Sequence, residues 1–165
     1  PEDTAHALLL GACFQAKRRI LAITPYFVPD DGLRDALRLA ARRGVEVTLI
    51  IPQKSNHRLA DFVRTRAMRD LAQAGVHFRM LPFMAHAKAV VLDDTLALCG
   101  SINIDLRSLL INHEASVVFY GPADIAWLAR WMEETAHSAQ PYVATPPGLG
   151  RDVAEGLVQA VAFQL

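Results

Sequence analysis

The sequence has little that would support metal or redox chemistry or a membrane span. Only two cysteines, Cys13 and Cys99, occur among 165 residues, and neither stands in a CxxC or Cys/His metal-ligand spacing. We therefore predict two reduced thiols in the core, and no metal or other cofactor. No apolar run is long enough to cross a bilayer, and no signal-peptide pattern is present.

The sequence also lacks net charge. Seventeen basic residues balance seventeen acidic ones, so no overall field draws the chain to nucleic acid, and we regard nucleic acid as an unlikely partner. Any anion binding must come from the local placement of polar groups. The chain begins at Pro1 rather than Met, which suggests a piece of a longer protein.

What the sequence does contain is a globular pattern of alternating strands and helices. Hydrophobic residues make up 52% and charged residues 21%, which is typical of one domain with a substantial core. A helix capped by Asp30 or Asp31 is expected to end near Arg43. The periodicity predicts strands over 19–24, 45–52, 76–81, 86–92, 95–99 and 114–120, and helices over 4–18, 59–74, 125–137 and 151–165.

This order predicts an α/β fold, with a mixed central β-sheet flanked by helices. Residues 1–140 are expected to form the domain. Residues 141–165 are expected to form a Pro/Gly-rich linker followed by an amphipathic C-terminal helix.

The stretch "HAKAVVLDDTLALCGSIN", residues 86–103, concentrates the polar groups that carry chemistry. In an extended strand, side chains two residues apart share a face, so His86 and Lys88 point the same way. Asp93 has the opposite parity and lies at the end of the strand, so we predict that it fixes the hairpin. The return strand closes on Gly100, which allows close backbone approach or a positive φ.

The hairpin is expected to bring Ser101 and Asn103 back beside His86. An imidazole, an ammonium and an amide that converge in this way form a site for an oxyanion, and we expect phosphate. Lys88 and Asn103 would donate to non-bridging oxygens, and a neutral imidazole could attack phosphorus. Glu114 is a candidate to hold the other nitrogen of the His86 ring.

The pattern HxKxxxxD, followed after six residues by GSxN, resembles the signature of the phospholipase D superfamily. In this chain the matching residues are His86, Lys88, Asp93, Gly100, Ser101 and Asn103. The flanking segments "TPYFVPDDGLRDAL", "RGVEVTLIIP" and "NIDLRSLLINHEASVVFY" resemble the carboxy-terminal half of bacterial cardiolipin synthases. The resemblance runs from about residue 8 to residue 137 and implies a phospholipase D-like half-domain.

The resemblance implies a role for each motif residue. It makes His86 catalytic, Lys88 and Asn103 phosphate ligands and Ser101 a supporting hydrogen-bond donor. Asp93 keeps its motif place, and Glu114 matches a carboxylate that orients the motif histidine. The implied reaction transfers a phosphatidyl group from a phosphatidylglycerol-like lipid through a phosphohistidine, without metal, and we favour the general acid as the role of His86.

One feature departs from the family, because the chain has a single HxKxxxxD motif where such enzymes combine two. The partner would be an N-terminal half with the second motif, or a second copy of this chain. A dimeric phosphodiesterase or nuclease, and a non-catalytic phosphate- or lipid-binding half, remain as alternatives. The parent protein is expected to act on a membrane surface, at the bacterial cytoplasmic membrane, with this fragment soluble.

Two further clusters were assigned possible roles. Tyr26 and Phe27 follow a strand and could line an acyl or glycerol channel, although ordinary aromatic packing is the simpler interpretation. A basic patch could face anionic headgroups, although a solvated helix face is slightly favoured. Its members are Lys54, Arg58, Arg64, Arg66 and Arg69.

Overall fold

A computed structural model describes residues 4–146 of the chain. The predicted C-terminal helix over 151–165 therefore lies outside the described residues. The helices are α1 (Thr4–Gln15), α2 (Asp31–Arg42), α3 (Arg58–Gln73), α4 (Leu106–Leu110) and α5 (Pro122–Thr135), the last followed by a 3-10 turn at Ala136–Ser138. The strands are β1 (Arg19–Ile23), β2 (Phe27–Val28), β3 (Glu46–Pro52), β4 (His77–Leu81), β5 (Ala89–Leu92), β6 (Leu96–Gly100), β7 (Ile104–Asp105), β8 (Ser116–Phe119) and β9 (Gln140–Pro141).

The sheet is mixed, as the sequence predicts. Seven strands lie in the order β8-β6-β5-β1-β3-β4-β9, while β2 and β7 form a separate parallel pair. The pairs β1–β3 and β3–β4 are parallel, and β5 runs antiparallel to β1, with Ile23 opposite Ala89. The predicted hairpin between β5 and β6 is confirmed, because Leu92 pairs with Leu96 and Ala89 with Cys99.

Helices cover both faces of the sheet. On one face α1, α2 and α3 pack on β-branched and aliphatic side chains such as Val47, Leu49 and Ile51. On the other face α5 packs on the alternate residues, including Ile50 and Val91. The alternation follows from the period of two in a strand. It fixes the sheet's register, so the edge of the sheet that carries polar residues is also fixed.

Several local predictions hold. Asp30 is the N-cap of α2 and accepts hydrogen bonds from the N–H groups of Gly32 and Leu33 at 2.9 and 3.4 Å. Cys13 and Cys99 are both free, the first buried and the second half-buried. Burial raises the pKa of the Cys13 thiol to about 12 although Arg43 opposes the shift, so Cys13 is a protonated core group.

The predicted linker begins inside the sheet. Gln140 and Pro141 form β9 along the edge of β4, and the Tyr142 N–H donates to the Phe78 carbonyl at 3.0 Å. The Tyr142 ring also packs edge-on against Phe78. The expected boundary at 140/141 therefore falls within a strand. No helix among residues 4–146 is long and apolar enough to cross a membrane.

Candidate active site

The motif residues lie at the edge of the sheet where the parallel strands β1 and β3 end. Because β5 is antiparallel to β1, the segment that precedes β5 comes to the same edge as the end of β1. The strand predicted over 86–92 in fact begins at Ala89, so His86 and Lys88 lie just outside the ladder. The Lys88 carbonyl still accepts a hydrogen bond from the Gly100 N–H at 3.2 Å, which ties the two arms together.

The side chains of His86 and Lys88 are in contact, as their spacing predicts. The Lys88 ammonium lies 3.2 Å from Nδ1 and 3.3 Å from Nε2 of the His86 ring, and it donates to the His86 carbonyl at 3.0 Å. A charged ammonium has no acceptor, and an imidazolium has none either, so this contact suits a neutral ring. His86 is exposed and Lys88 is half-buried.

The charge of Lys88 is set by burial and by two carboxylates. Burial lowers the pKa of Lys88, and the nearby carboxylates of Glu114 and Asp105 act in the opposite direction. Burial also raises the pKa of Asp105, against the hydrogen bonds that its carboxylate accepts from Ser108. The site therefore combines one ammonium with two carboxylates at the edge of the sheet where the parallel strands end.

Gly100 is required by close approach and not by a positive φ. A methyl group at this position would overlap the carbonyl oxygen of Ala115 and the backbone of Ser116 on the neighbouring strand. Since Gly100 pairs with Ser116 in the ladder, only a residue without a side chain lets the β6–β8 pairing continue to its end. The glycine of GSxN thus fixes the position of the loop that follows.

That loop places Ser101 against Glu114. The Ser101 hydroxyl donates to a carboxylate oxygen of Glu114 and accepts from the Ala115 N–H at 3.0 Å. Asn112 donates to the other Glu114 oxygen at 3.4 Å. Among residues 4–146 Glu114 has no hydrogen bond to His86, so the expected orienting contact with the ring is not present; Glu114 instead holds the GSxN loop.

Asn103 lies on the same loop, and part of its hydrogen-bonding capacity is used within the chain. Its amide donates to the Ser108 hydroxyl at 3.0 Å, while its Oδ1 is buried and has no hydrogen-bond partner within the described part of the chain. The second amide hydrogen is available to a ligand, which fits the phosphate contact predicted for Asn103. Ser108 belongs to α4, whose N-cap is Asp105, with the Ser108 N–H donating to the Asp105 carboxylate at 2.8 Å.

Asp93 is at the opposite end of β5. Its carboxylate accepts hydrogen bonds from the N–H groups of three consecutive residues, Lys17 at 3.0 Å, Arg18 at 2.8 Å and Arg19 at 2.9 Å. Its φ of 50° is in the left-handed region, which Asp tolerates better than most residues. Burial acts to raise the pKa of Asp93, but the three N–H donors and Arg18 outweigh it and the pKa is lowered.

Other side chains at the site were less evident from the sequence. Phe27 is fully buried and packs on Phe78, as the simpler interpretation predicted, whereas Tyr26 lines a cavity beside the motif. The Tyr26 ring lies edge-on to both His86 and His57, with centroid distances of 6.4 and 6.1 Å. The rule that sites collect where parallel strands end applies to the loop after β3 as well, and it could have identified His57.

The proposed basic patch is wrong in composition. Arg64 and Arg69 are buried, with relative exposures of 4% and 7%, and cannot face a membrane surface. Arg64 instead donates to the Gln53 carbonyl at 2.7 Å and pairs with Asp61 at 3.1 Å. Within residues 4–146 no group of His, Cys, Asp and Glu side chains could hold a metal ion.

The chain is similar to one protein family and to several relatives with the same name. Residues 10–136 match the family described as "Cardiolipin synthase, PLD-like domain". Cardiolipin synthase A of Klebsiella pneumoniae subsp. pneumoniae is 40% identical over 119 residues, and that of Citrobacter koseri is 39% identical over 119 residues. The match covers 72% of this chain but only 24% of each relative, so the chain spans about a quarter of their length.

Solved structures share the fold. The phospholipase D family member Nuc from Salmonella typhimurium superposes with a TM-score of 0.75 at 26% identity, covering 86% of this chain and 93% of Nuc. The phosphatidylserine synthase of Haemophilus influenzae Rd KW20 superposes with a TM-score of 0.76 at 15% identity, covering 98% of this chain and 45% of that one.

Proposed function

Because the chain belongs to the cardiolipin synthase family of phospholipase D-like domains, we propose that it supplies half of the active site of a phosphatidyltransferase. The observation that carries this proposal is the contact of the Lys88 ammonium with both ring nitrogens of His86. The contact lies at the edge of the sheet where the parallel strands end, and the Gly100 N–H, at the start of the GSxN loop, donates to the Lys88 carbonyl there. An imidazole, a cation and an amide donor are the groups that phosphoryl transfer through a histidine requires.

In the first step, a histidine of the other half attacks the phosphorus of a phosphatidylglycerol-like lipid. A nitrogen–phosphorus bond forms as the bond to the glycerol oxygen breaks. His86, as general acid, gives its proton to that oxygen. Lys88 and Asn103 stabilise the charge on the non-bridging oxygens, and the anionic phosphate draws the Lys88 ammonium away from the ring, so that the ring can carry its proton.

In the second step His86 is neutral, as its contact with Lys88 in this structure suits. It removes the proton of the incoming lipid hydroxyl as that oxygen attacks phosphorus. The nitrogen–phosphorus bond then breaks, and the two-lipid product is released. Ser101 and Glu114 act on this chemistry through the GSxN loop, which their hydrogen bonds hold; the loop carries Asn103, and its Gly100 N–H donates to the Lys88 carbonyl. Asp93 acts through the fold.

The second motif is proposed to come from an N-terminal half of the same protein, or from a second copy of this chain. The proposed setting is a membrane surface, because the substrate is a phospholipid. The relatives that support this proposal are named cardiolipin synthase A.

The test compares the chain alone with the chain joined to the coding sequence upstream of it. Each would be supplied with labelled phosphatidylglycerol vesicles, as wild type and as His86→Ala. Label in cardiolipin with release of glycerol, lost in the variant, is the expected result. Phosphatidic acid as the main product would show a hydrolase, and no turnover of lipid in either form would overturn the proposal.

A second candidate is a phosphodiesterase formed by two copies of this chain. One observation favours it, since the family member Nuc is almost completely covered by a chain of this size, at 93%. Such an enzyme would cleave a model phosphodiester as the isolated chain, at a rate that rises with the square of concentration below its dimerisation constant. A transferase completed by an N-terminal half predicts no such turnover from the chain alone.

A further inference from the structure

A cavity beside the motif is not used by the phosphate chemistry. Its volume is about 180 Å³, and it opens between the loops that follow β1 and β3 and the segment around α4. It shares one wall, Asn103, with the phosphate site. The other side chains that the argument uses are Tyr26, His57, Asp105, Arg107 and Asn112.

The cavity is placed for the alcohol and not for the phosphate. The Tyr26 ring, which lines the cavity, stands edge-on to both His86 and His57. A general acid must lie within reach of the oxygen that leaves, and the same group must later reach the oxygen that enters. The cavity, whose wall residue Tyr26 contacts the His86 ring, is therefore where both alcohols would be held in turn.

The lining suits a neutral molecule with several hydroxyl groups. The carboxylate of Asp105 is balanced by the guanidinium of Arg107, so the cavity favours neither a cationic nor an anionic headgroup. The amide of Asn112 and the ring of His57 each offer donors and acceptors, which hydroxyl groups can match in both senses. One water needs about 10–15 Å³ of such volume, so the cavity has room for a small molecule of several non-hydrogen atoms, such as glycerol.

The backbone of His57 is held in position by hydrogen bonds within the loop that precedes α3. The Ser55 N–H donates to Asp61 at 2.8 Å, and the Ser55 hydroxyl accepts from the His57 N–H at 3.0 Å. Arg64, buried in α3, holds the start of this loop through Gln53 and pairs with Asp61. The described residues give the ring nitrogens of His57 no hydrogen bond, although its backbone N–H and carbonyl are both hydrogen-bonded to the Ser55 hydroxyl. A fixed backbone with an uncommitted polar ring is typical of a binding residue.

We propose that this cavity is a polyol subsite that binds the glycerol-like headgroup of the leaving and entering alcohols, with His57 and Asn112 setting the preference for a polyol. The proposal rests on the phosphatidyltransferase function proposed above. It names the part of the site that distinguishes glycerol from a simple alcohol.

The test is an acceptor competition with the chain joined to its upstream sequence. Phosphatidylglycerol vesicles would receive labelled glycerol and 1-propanol together, and the ratio of the two lipid products would be measured. His57→Ala and Asn112→Ala should each lower the glycerol-to-propanol ratio about tenfold, the loss expected for one or two hydrogen bonds to the polyol. The ratio does not depend on the folded fraction, so a poorly folding variant still gives an answer.

His77→Ala is the matched control. His77 is an exposed histidine at the start of β4, where the parallel strands begin, and it should keep the wild-type ratio. If both cavity variants keep the wild-type ratio while their total turnover falls, the polyol subsite is refuted and the transferase stands. If the wild type forms neither lipid product, the transferase proposal fails first and the subsite with it.

Discussion

The two ends of β5 carry the same sequence motif but use their polar side chains in opposite ways. At the His86 end, the exposed ring contacts the ammonium of the half-buried Lys88, and the ring has no other hydrogen bond among the described residues. At the Asp93 end, about 20 Å away along the extended chain, the carboxylate is saturated by three backbone N–H groups. One end keeps its hydrogen-bonding capacity for a substrate, while the other has used it on the fold.

This difference separates residues that take part in the reaction from residues that hold the fold in place. The motif spacing alone suggests one functional unit, yet a strand of four residues, Ala89–Leu92, lies between its two parts. We therefore expect variants of His86 and Lys88 to lose activity without losing stability, and variants of Asp93 to lose stability without losing activity.

The largest effect is expected at His86. His86→Asn should reduce phosphatidyl transfer by about 10²–10⁴-fold, which is the contribution of general acid–base catalysis. The side chain is exposed, so the urea midpoint of the chain should change little. Transfer is measured with labelled phosphatidylglycerol and unfolding by tryptophan fluorescence; a large fall in the midpoint would place His86 among the structural residues.

The next largest effect is a loss of stability, and it is expected at Gly100. This residue lies near His86 but contributes to the folding of the chain and not to the chemistry. Gly100→Ala should destabilise the chain by about 3 kcal/mol, since its methyl group would collide with backbone atoms that cannot move aside. Urea unfolding measures this, with Gly11→Ala as the control because a methyl group there meets nothing within 4 Å. Equal stability of the two variants would contradict the close approach of β6 and β8.

A smaller loss of stability is expected at Asp93. Asp93→Asn should cost about 2 kcal/mol at neutral pH, because the backbone N–H groups lose a charged acceptor. The lowered pKa of Asp93 gives this effect a pH dependence. The stabilisation is complete above the ordinary carboxyl pKa of about 3.9 and is lost as the pH falls through the lower folded value.

Urea unfolding of wild type and Asp93→Asn between pH 7 and pH 2.5 measures that dependence. The difference in unfolding free energy should narrow below about pH 4. A difference that stays constant down to pH 2.5 would show that the carboxylate charge does not hold the three N–H groups.

The smallest effect is expected at Lys88, and at alkaline pH. Burial lowers the pKa of Lys88, so its ammonium is lost at a lower pH than the value of about 10.4 for an exposed lysine. As the pH is raised, transfer should therefore begin to fall before the pH reaches that value. In Lys88→Arg the decline should move to higher pH, because a guanidinium stays charged; an unchanged alkaline limb would exclude Lys88 as its source.

Much of this arrangement could be predicted from the residues. The spacing of two predicted the contact of His86 with Lys88, although the strand that was to carry both begins only at Ala89. The hairpin pattern brought Gly100 back to Lys88. The helices with clear periodicity and the long strands were predicted within a few residues. These features depend on local sequence, which is why a sequence can predict them.

Other features depend on contacts that no local pattern carries. The strands β2, β7 and β9 have two residues each, too few for any periodicity, and they form only because a neighbouring strand is present. The sequence placed Arg64 in a basic cluster on a helix. It did not show that the Arg64 side chain turns inward and holds the loop before His57. Glu114 was expected beside His86, and its place beside Ser101 depends on how β6 and β8 align.

The most direct test of the division within the motif is the transfer rate of Asp93→Asn per folded molecule, measured with the chain joined to its upstream sequence well below the unfolding temperature. The account predicts a rate within a few-fold of wild type once the folded fraction is taken into account. A loss of 10²-fold or more in a fully folded variant would contradict it and would place Asp93 in the chemistry together with His86 and Lys88.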